Sequence, residues 1–244
     1  MSNFRRSRLP MSNYTTSDTI RYKTLSLFAE HFGISPARVN VTLNDSCIII
    51  CAERFLQPLV ESMILEESHG ALQSMRELMV GYLMPELCRY VQDDCGLKIE
   101  TKGYDWNDED LSCLIFMLLA EPAFLRENVP YPDQNKIHRH IAALTYDVQR
   151  FPEKIYSFWL EQRMLILIRD GTMTEVERAL IEDGHCEVLR MSKRKVEKKR
   201  FCEEPPFGGT ANRSLKGVYL DWVFPHDRSV LVYVFGSAQT IAPH

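Results

Sequence analysis

The sequence predicts an α+β protein made of two pseudo-symmetric copies of one α-β-β-α-α-β-β module, with mainly antiparallel sheets. Three observations carry that prediction. Landmarks recur at a fixed offset of 116 residues, short apolar runs come in closely spaced pairs, and helical periodicity separates the pairs. The clearest landmark is Asp105-Trp106, which falls on Asp221-Trp222 in a chain with only 3 tryptophans. Val60-Glu61 likewise falls on Val176-Glu177, and Glu66 on Glu182.

Each copy opens with a helical segment, marked by Ile20, Leu25, Leu27 and Phe28 in the first and by Ile137, Ile141 and Leu144 in the second. A hairpin follows. Val39, Val41 and Leu43 alternate with polar residues, the polar turn Asn44-Asp45-Ser46 comes next, and Cys47–Ala52 is almost wholly apolar. The second copy repeats this with Ile155–Leu160, Glu161-Gln162 and Met164–Ile168. Pro58 suits the first turn of a helix, as does the Thr174–Glu177 capping box. Gly70 then separates a second helix, whose Leu72, Met75, Met79, Tyr82, Leu83, Leu87 and Tyr90 form one stripe. Pro85 is expected to kink or break it. Leu97–Trp106 and Leu111–Leu119 close the module as a second hairpin. The expected organisation is a polar tail at 1–16, repeats at 17–120 and 135–237, a proline-rich linker at 121–134 and a C-terminal tail at 238–244. Whether the copies share one sheet or pack two sheets together stays open.

The chain has 244 residues and a net charge of −4, and it lacks any apolar run long enough to cross a bilayer. Its 7 cysteines follow no CxxC spacing, so they are expected as reduced, mostly buried thiols. These features point to the cytoplasm.

Positive charge concentrates in one stretch, Arg190, Lys193, Arg194, Lys195, Lys198, Lys199 and Arg200, against Glu197 alone. At the 116-residue offset, Met79, Tyr82 and Leu83 become Lys195, Lys198 and Lys199, so the apolar stripe is replaced by lysines. A shifted alignment restores a stripe through Val188, Met191 or Val196. Two readings remain for the basic run. It is a solvated helix face, or a docking surface for an anionic membrane, an acidic protein loop or nucleic acid. Nucleic acid is the least favoured, because no aromatic platform or helix-turn-helix signal accompanies the charge.

Other chemistry is sparse. Asp105-Trp106 and Asp221-Trp222 end strands, where tryptophan fills core space and aspartate bonds turn amides, or where both face a duplicated ligand site. Arg169-Asp170-Gly171-Thr172 joins a strand to a helix and is a weak candidate for bicarbonate or phosphate. His138 and His140 lie two apart and share no helix face, so no metal site is expected, and His185-Cys186 is no better. Walker A, GxGxxG, GxSxG and HExxH patterns are absent, which disfavours a nucleotide enzyme or hydrolase. No cofactor is expected.

The stretch from Arg38 to Leu87, and that from Ile155 to Ile181 with its Leu165–Gly171 run, resemble the MpsC family, a component of a sodium-translocating, membrane-potential-generating system. Tandem-copy members occur in bacilli and their relatives, and this chain looks like one of them. The resemblance implies no catalytic residues. It implies a cytoplasmic accessory or regulator of a bicarbonate or cation transport system, peripheral at the membrane, whose partner is a membrane transporter subunit or the anionic membrane surface. A homodimer is compatible with it. An anion sensor with its ligand between the two repeats, and an unrecognised enzyme, are the alternatives.

Overall fold

The computed structural model describes residues 15–54, 69–120, 122, 130–206 and 214–236. Within these lie five α-helices and two four-stranded antiparallel sheets. The first half runs α1 (Thr16–Phe32), β1 (Arg38–Leu43), β2 (Cys47–Glu53), α2 (His69–Asp93), β3 (Ile99–Asn107) and β4 (Ser112–Leu119). The second runs α3 (Gln134–Tyr146), β5 (Lys154–Leu160), β6 (Met164–Asp170), α4 (Glu175–Glu182), α5 (Cys186–Glu203), β7 (Leu215–Val223) and β8 (Arg228–Phe235). The sheet orders are the same, β1-β2-β4-β3 and β5-β6-β8-β7. Both bounds of β7 and of β8 lie 116 residues beyond those of β3 and β4. The expected helix at Pro58 lies outside the described residues.

Local chemistry accounts for the element ends. Thr15 with Asp18 and Thr174 with Glu177 form reciprocal capping boxes at the starts of α1 and α4. At the β1–β2 turn, Asn44 Oδ1 accepts the N–H groups of Ser46 and Cys47, each at 2.9 Å. Three residues separate the paired Leu160 and Met164 at the β5–β6 turn, where Glu161 and Gln162 both take positive φ (48° and 52°) and the Arg163 N–H donates to the Leu160 carbonyl at 3.1 Å. The helix α2 is not broken at Pro85. It continues from His69 to Asp93 with the proline inside it, and it begins one residue before Gly70.

The open question of one sheet or two is settled by side-chain parity. On β2 and β4, Ile48, Ile50, Ile115 and Met117 face α1 and α2. Their neighbours Cys47, Ile49, Leu114 and Phe116 meet Ile166, Ile168, Val230 and Val232 from the other sheet. In the second half, Leu165, Leu167, Leu231 and Tyr233 face α3 and α5. The molecule is therefore four layers, helices–sheet–sheet–helices, and the central strands are mostly apolar because both of their faces are covered, with fully buried Arg169 on β6 a charged exception.

All seven cysteines are free, and Cys47, Cys88 and Cys113 are buried. No helix among the described residues is long and apolar enough to cross a membrane.

Candidate functional site at the junction of the two halves

The edge strands β3 and β7 meet where the two sheets converge, and the two Asp-Trp pairs come together there. Each tryptophan turns away from the junction into the core of its own half. Each aspartate turns between the sheets and is fully buried. Asp105 Oδ2 accepts the N–H of Leu220 at 2.9 Å, and Asp221 Oδ2 accepts the N–H of Tyr104 at 3.0 Å. The other oxygen of each takes the N–H of its own following tryptophan, at 2.7 Å for Trp106 and 2.8 Å for Trp222. The amides these aspartates bind are thus strand amides of both halves, not the turn amides expected. Gly103 permits the approach, since a Cβ there would lie 2.8 Å from Asp221 Oδ2 and still closer to the Phe116 ring.

Four backbone donors do not neutralise two buried carboxylates, and α5 supplies the cations. Arg194 reaches Asp105 at 3.0 Å, Glu77 at 3.1 Å and Asp221 at 3.5 Å, and it donates to the Tyr104 carbonyl at 2.9 Å. Lys198 pairs with Asp105 at 2.8 Å and donates to the Trp106 carbonyl. Arg190 pairs with Asp221, donates to the Trp222 carbonyl at 3.0 Å and covers the Phe224 ring. Arg194 therefore ties the helix of the second half to α2 and β3 of the first. Burial raises the Asp105 carboxyl above its usual range, with Lys198 and Arg194 opposing that shift. Burial works against the charged form of Arg194, but Asp105, Asp221 and Glu77 outweigh it and hold the guanidinium ionised.

The basic run divides into an inner face and an outer one. Leu189, Lys193, Arg194, Glu197 and Phe201 are buried, and the last four have the spacing that Met79, Val80, Leu83 and Leu87 show in α2. Lys195 and Lys199 lie off this buried face, so they do not take the place of the apolar stripe of α2. Nor does an alternative stripe form, since Val188, Met191 and Val196 are all exposed. Tyr82, assigned to the α2 stripe from sequence, is 66% exposed. The solvated-face reading fails for Lys193 and Arg194, and a docking role is closed to them for the same reason. Lys193 bonds Glu177 at 2.5 Å and Gln149 at 2.6 Å and lies over the Trp222 ring. Arg200, half-buried, bonds Glu204 and Asp147. Lys195 and Lys199 remain exposed.

The 169–172 loop holds its own anion. Gly171 N–H donates to the Asp227 carbonyl at 2.9 Å, and the N–H groups of Thr172 and Met173 both donate to Asp227 Oδ1, at 3.0 and 2.9 Å. Asp170 is held by Arg228 in a two-pronged pair. Arg169 points the opposite way, completely buried, to Glu197 at 2.8 Å and Thr145 at 2.8 Å. The donors that bicarbonate or phosphate would need are already used, which corrects the expected anion loop. His138 and His140 also diverge, the first to Ser157 and the second to the Glu204 carbonyl.

Sequence reading missed the acids that complete the network, Glu77, Asp227 and Glu197. Glu197 carried a signal, as the single acid in a basic run, four residues after Lys193 and three after Arg194. Glu77 carried none.

What remains accessible is a furrow between α2 and α5. One end is walled by Leu78, Gly81, Tyr82 and Met191 with Glu77 and Glu187 beside them, and the other by Lys195, Lys198 and Lys199 with Asp108 and Glu109 across from them. Residues 15–120 match the family model described as Na+-translocating membrane potential-generating system (MpsC). The first half of the chain is an MpsC unit. No curated protein and no solved structure gives a match. The MpsC unit thus contributes β3, with Asp105 and Trp106, and α2, with Glu77, to the junction, while residues beyond the match contribute α5 and β7.

Proposed function

We propose that this protein is a non-catalytic accessory or regulatory component of a sodium-translocating, membrane-potential-generating system, and that its second half is a diverged copy of the MpsC unit. The recurrence of sheet order and strand bounds supports a common origin for the halves. The family described for residues 15–120 supports the link to the transport system. In this reading the chain works at the cytoplasmic face and binds an acidic amphipathic segment of a membrane subunit in the α2–α5 furrow. The observation that carries the contact is the exposed stripe of α5. Val188, Met191, Lys195 and Lys199 recur at three and four outside the buried ion-pair network, Lys199 lies 3.8 Å from exposed Glu203, and Met191 sits beside exposed Leu78 and Tyr82. An apolar strip flanked by unburied lysines complements a helix with one apolar and one acidic face.

The test is binding of purified protein to vesicles that carry the membrane subunits of such a system, against empty vesicles of the same anionic lipid. Binding that needs the subunits and drops about tenfold or more in Lys195→Glu/Lys199→Glu supports the proposal. Equal binding to empty vesicles, or none to either, overturns the subunit contact.

A further inference from the structure

The two copies do not fill the space between the sheets equally. At the 116-residue offset, Tyr156 and Phe158 of β5 correspond to Asn40 and Thr42 of β1. Tyr156 and Phe158 pack against the apolar cluster between the sheets. Asn40 and Thr42 face the same layer from the opposite edge with small polar side chains, and a cleft of about 710 Å³ lies there. It follows β1 continuously from Pro36 to Thr42 and is closed on its far side by the β5–β6 turn. Its apolar wall is Ile49 and Cys51 from the first sheet with Met164 and Val234 from the second.

Two further features describe an occupant. Asn44 N–H donates to the Cys47 carbonyl at 3.1 Å, which sets the hydrogen-bond alternation along the hairpin. Thr42 and Asn40 consequently bond toward β2, and the N–H and C=O groups of Val39 and Val41 point to the open edge. Arg38 and Arg163 also line the cleft, both exposed, and neither forms an ion pair among the described residues. Of the acids present, Glu53 accepts from Asn40 at 3.1 Å, and Glu161 lies in the exposed turn. Apolar walls with two uncommitted guanidiniums suit a molecule with an apolar body and one negative end.

We propose that this cleft, between the two halves on the β1 side, binds a small amphipathic carboxylate. The apolar tail lies against Ile49, Cys51, Met164 and Val234, and the carboxylate is held by Arg38 and Arg163. The site is separate from the α2–α5 furrow, and its existence does not depend on the transport reading.

Isothermal titration of the full chain with butyrate, hexanoate and octanoate, and with hexanol as the uncharged control, tests it. The expected result is saturable one-to-one binding that tightens up to about fourfold per added methylene until the wall is covered. Hexanol should bind at least tenfold more weakly than hexanoate. Asn40→Tyr/Thr42→Phe, which gives the first copy the side chains of the second, should abolish binding. Arg38→Gln/Arg163→Gln, at exposed positions that leave the core intact, should weaken hexanoate about tenfold and leave hexanol unchanged. No saturable heat with any carboxylate overturns the site. So does unchanged hexanoate binding in either double variant.

Discussion

Asp105 and Asp221 each accept the backbone N–H of the residue that precedes the other, across the junction of the two halves. This exchange makes each carboxylate part of both strands, a role that requires an aspartate at the same place in each. Removing either acid takes one carboxylate partner from buried Arg194 and one from a half-buried cation beside it. Asp105→Ala leaves Arg194 and Lys198 without their shared acceptor and should cost about 3–5 kcal/mol in chemical denaturation. A cost under about 1 kcal/mol would mean that the junction is not held this way.

The Arg169–Glu197 pair is the second buried contact that should be expensive to break on one side. Both side chains are almost fully excluded from water, and Arg169 also stacks over the Phe201 ring. Arg169→Ala alone should destabilise the fold by about 3–5 kcal/mol, while Arg169→Met/Glu197→Leu should recover most of that loss. A double-mutant cycle reads the difference. Equal losses in the single and double variants would show that packing, not charge, is what Arg169 contributes.

Much of the fold was legible because backbone periodicity is local. The strand pairs announced themselves by alternation and by their turn residues, and the repeated layout of helices and strands by Asp105-Trp106 and Asp221-Trp222. The basic run was not legible in the same way. A lysine or arginine reads as solvent-facing until its acid is located, and the partners of Arg194 lie on α2, β3 and β7, far away in sequence. The loop at Gly171 misled for a related reason. Its free amides were correctly located, but Asp227, which satisfies them, is contributed by a turn more than fifty residues later.

Gly171 has φ +72°, and a Cβ there would lie 2.5 Å from Glu153. Gly171→Val should therefore lower the melting temperature by several degrees with or without phosphate, through strain rather than lost binding. Asp227→Ala should also destabilise, because it uncaps the N–H groups of Thr172 and Met173 and releases Arg178. Saturable phosphate binding that vanishes in Gly171→Val would restore the loop as an anion site.

Thiol chemistry reports on the layer between the sheets. Burial pushes the thiols of Cys47 and Cys51 up from 9.0 to about 12. Both should therefore resist iodoacetamide at pH 8 in the native protein, while exposed Cys202 reacts. Because the folded values lie above the unfolded one, these thiols contribute stability that is intact below pH 9.0 and is lost as the pH rises toward about 12. Peptide mapping by mass spectrometry checks the first point, and melting temperatures above pH 9 check the second.

The division of the basic helix into a buried clamp and an exposed stripe is tested most directly by denaturant unfolding of two variants side by side. Arg194→Met deprives Glu77, Asp105 and Asp221 of their common cation and should lose about 3–5 kcal/mol. Lys195→Glu/Lys199→Glu changes only exposed positions on the same helix and should stay within about 1 kcal/mol of the parent. Equal losses in the two variants, or a larger loss in the lysine pair, would contradict the account.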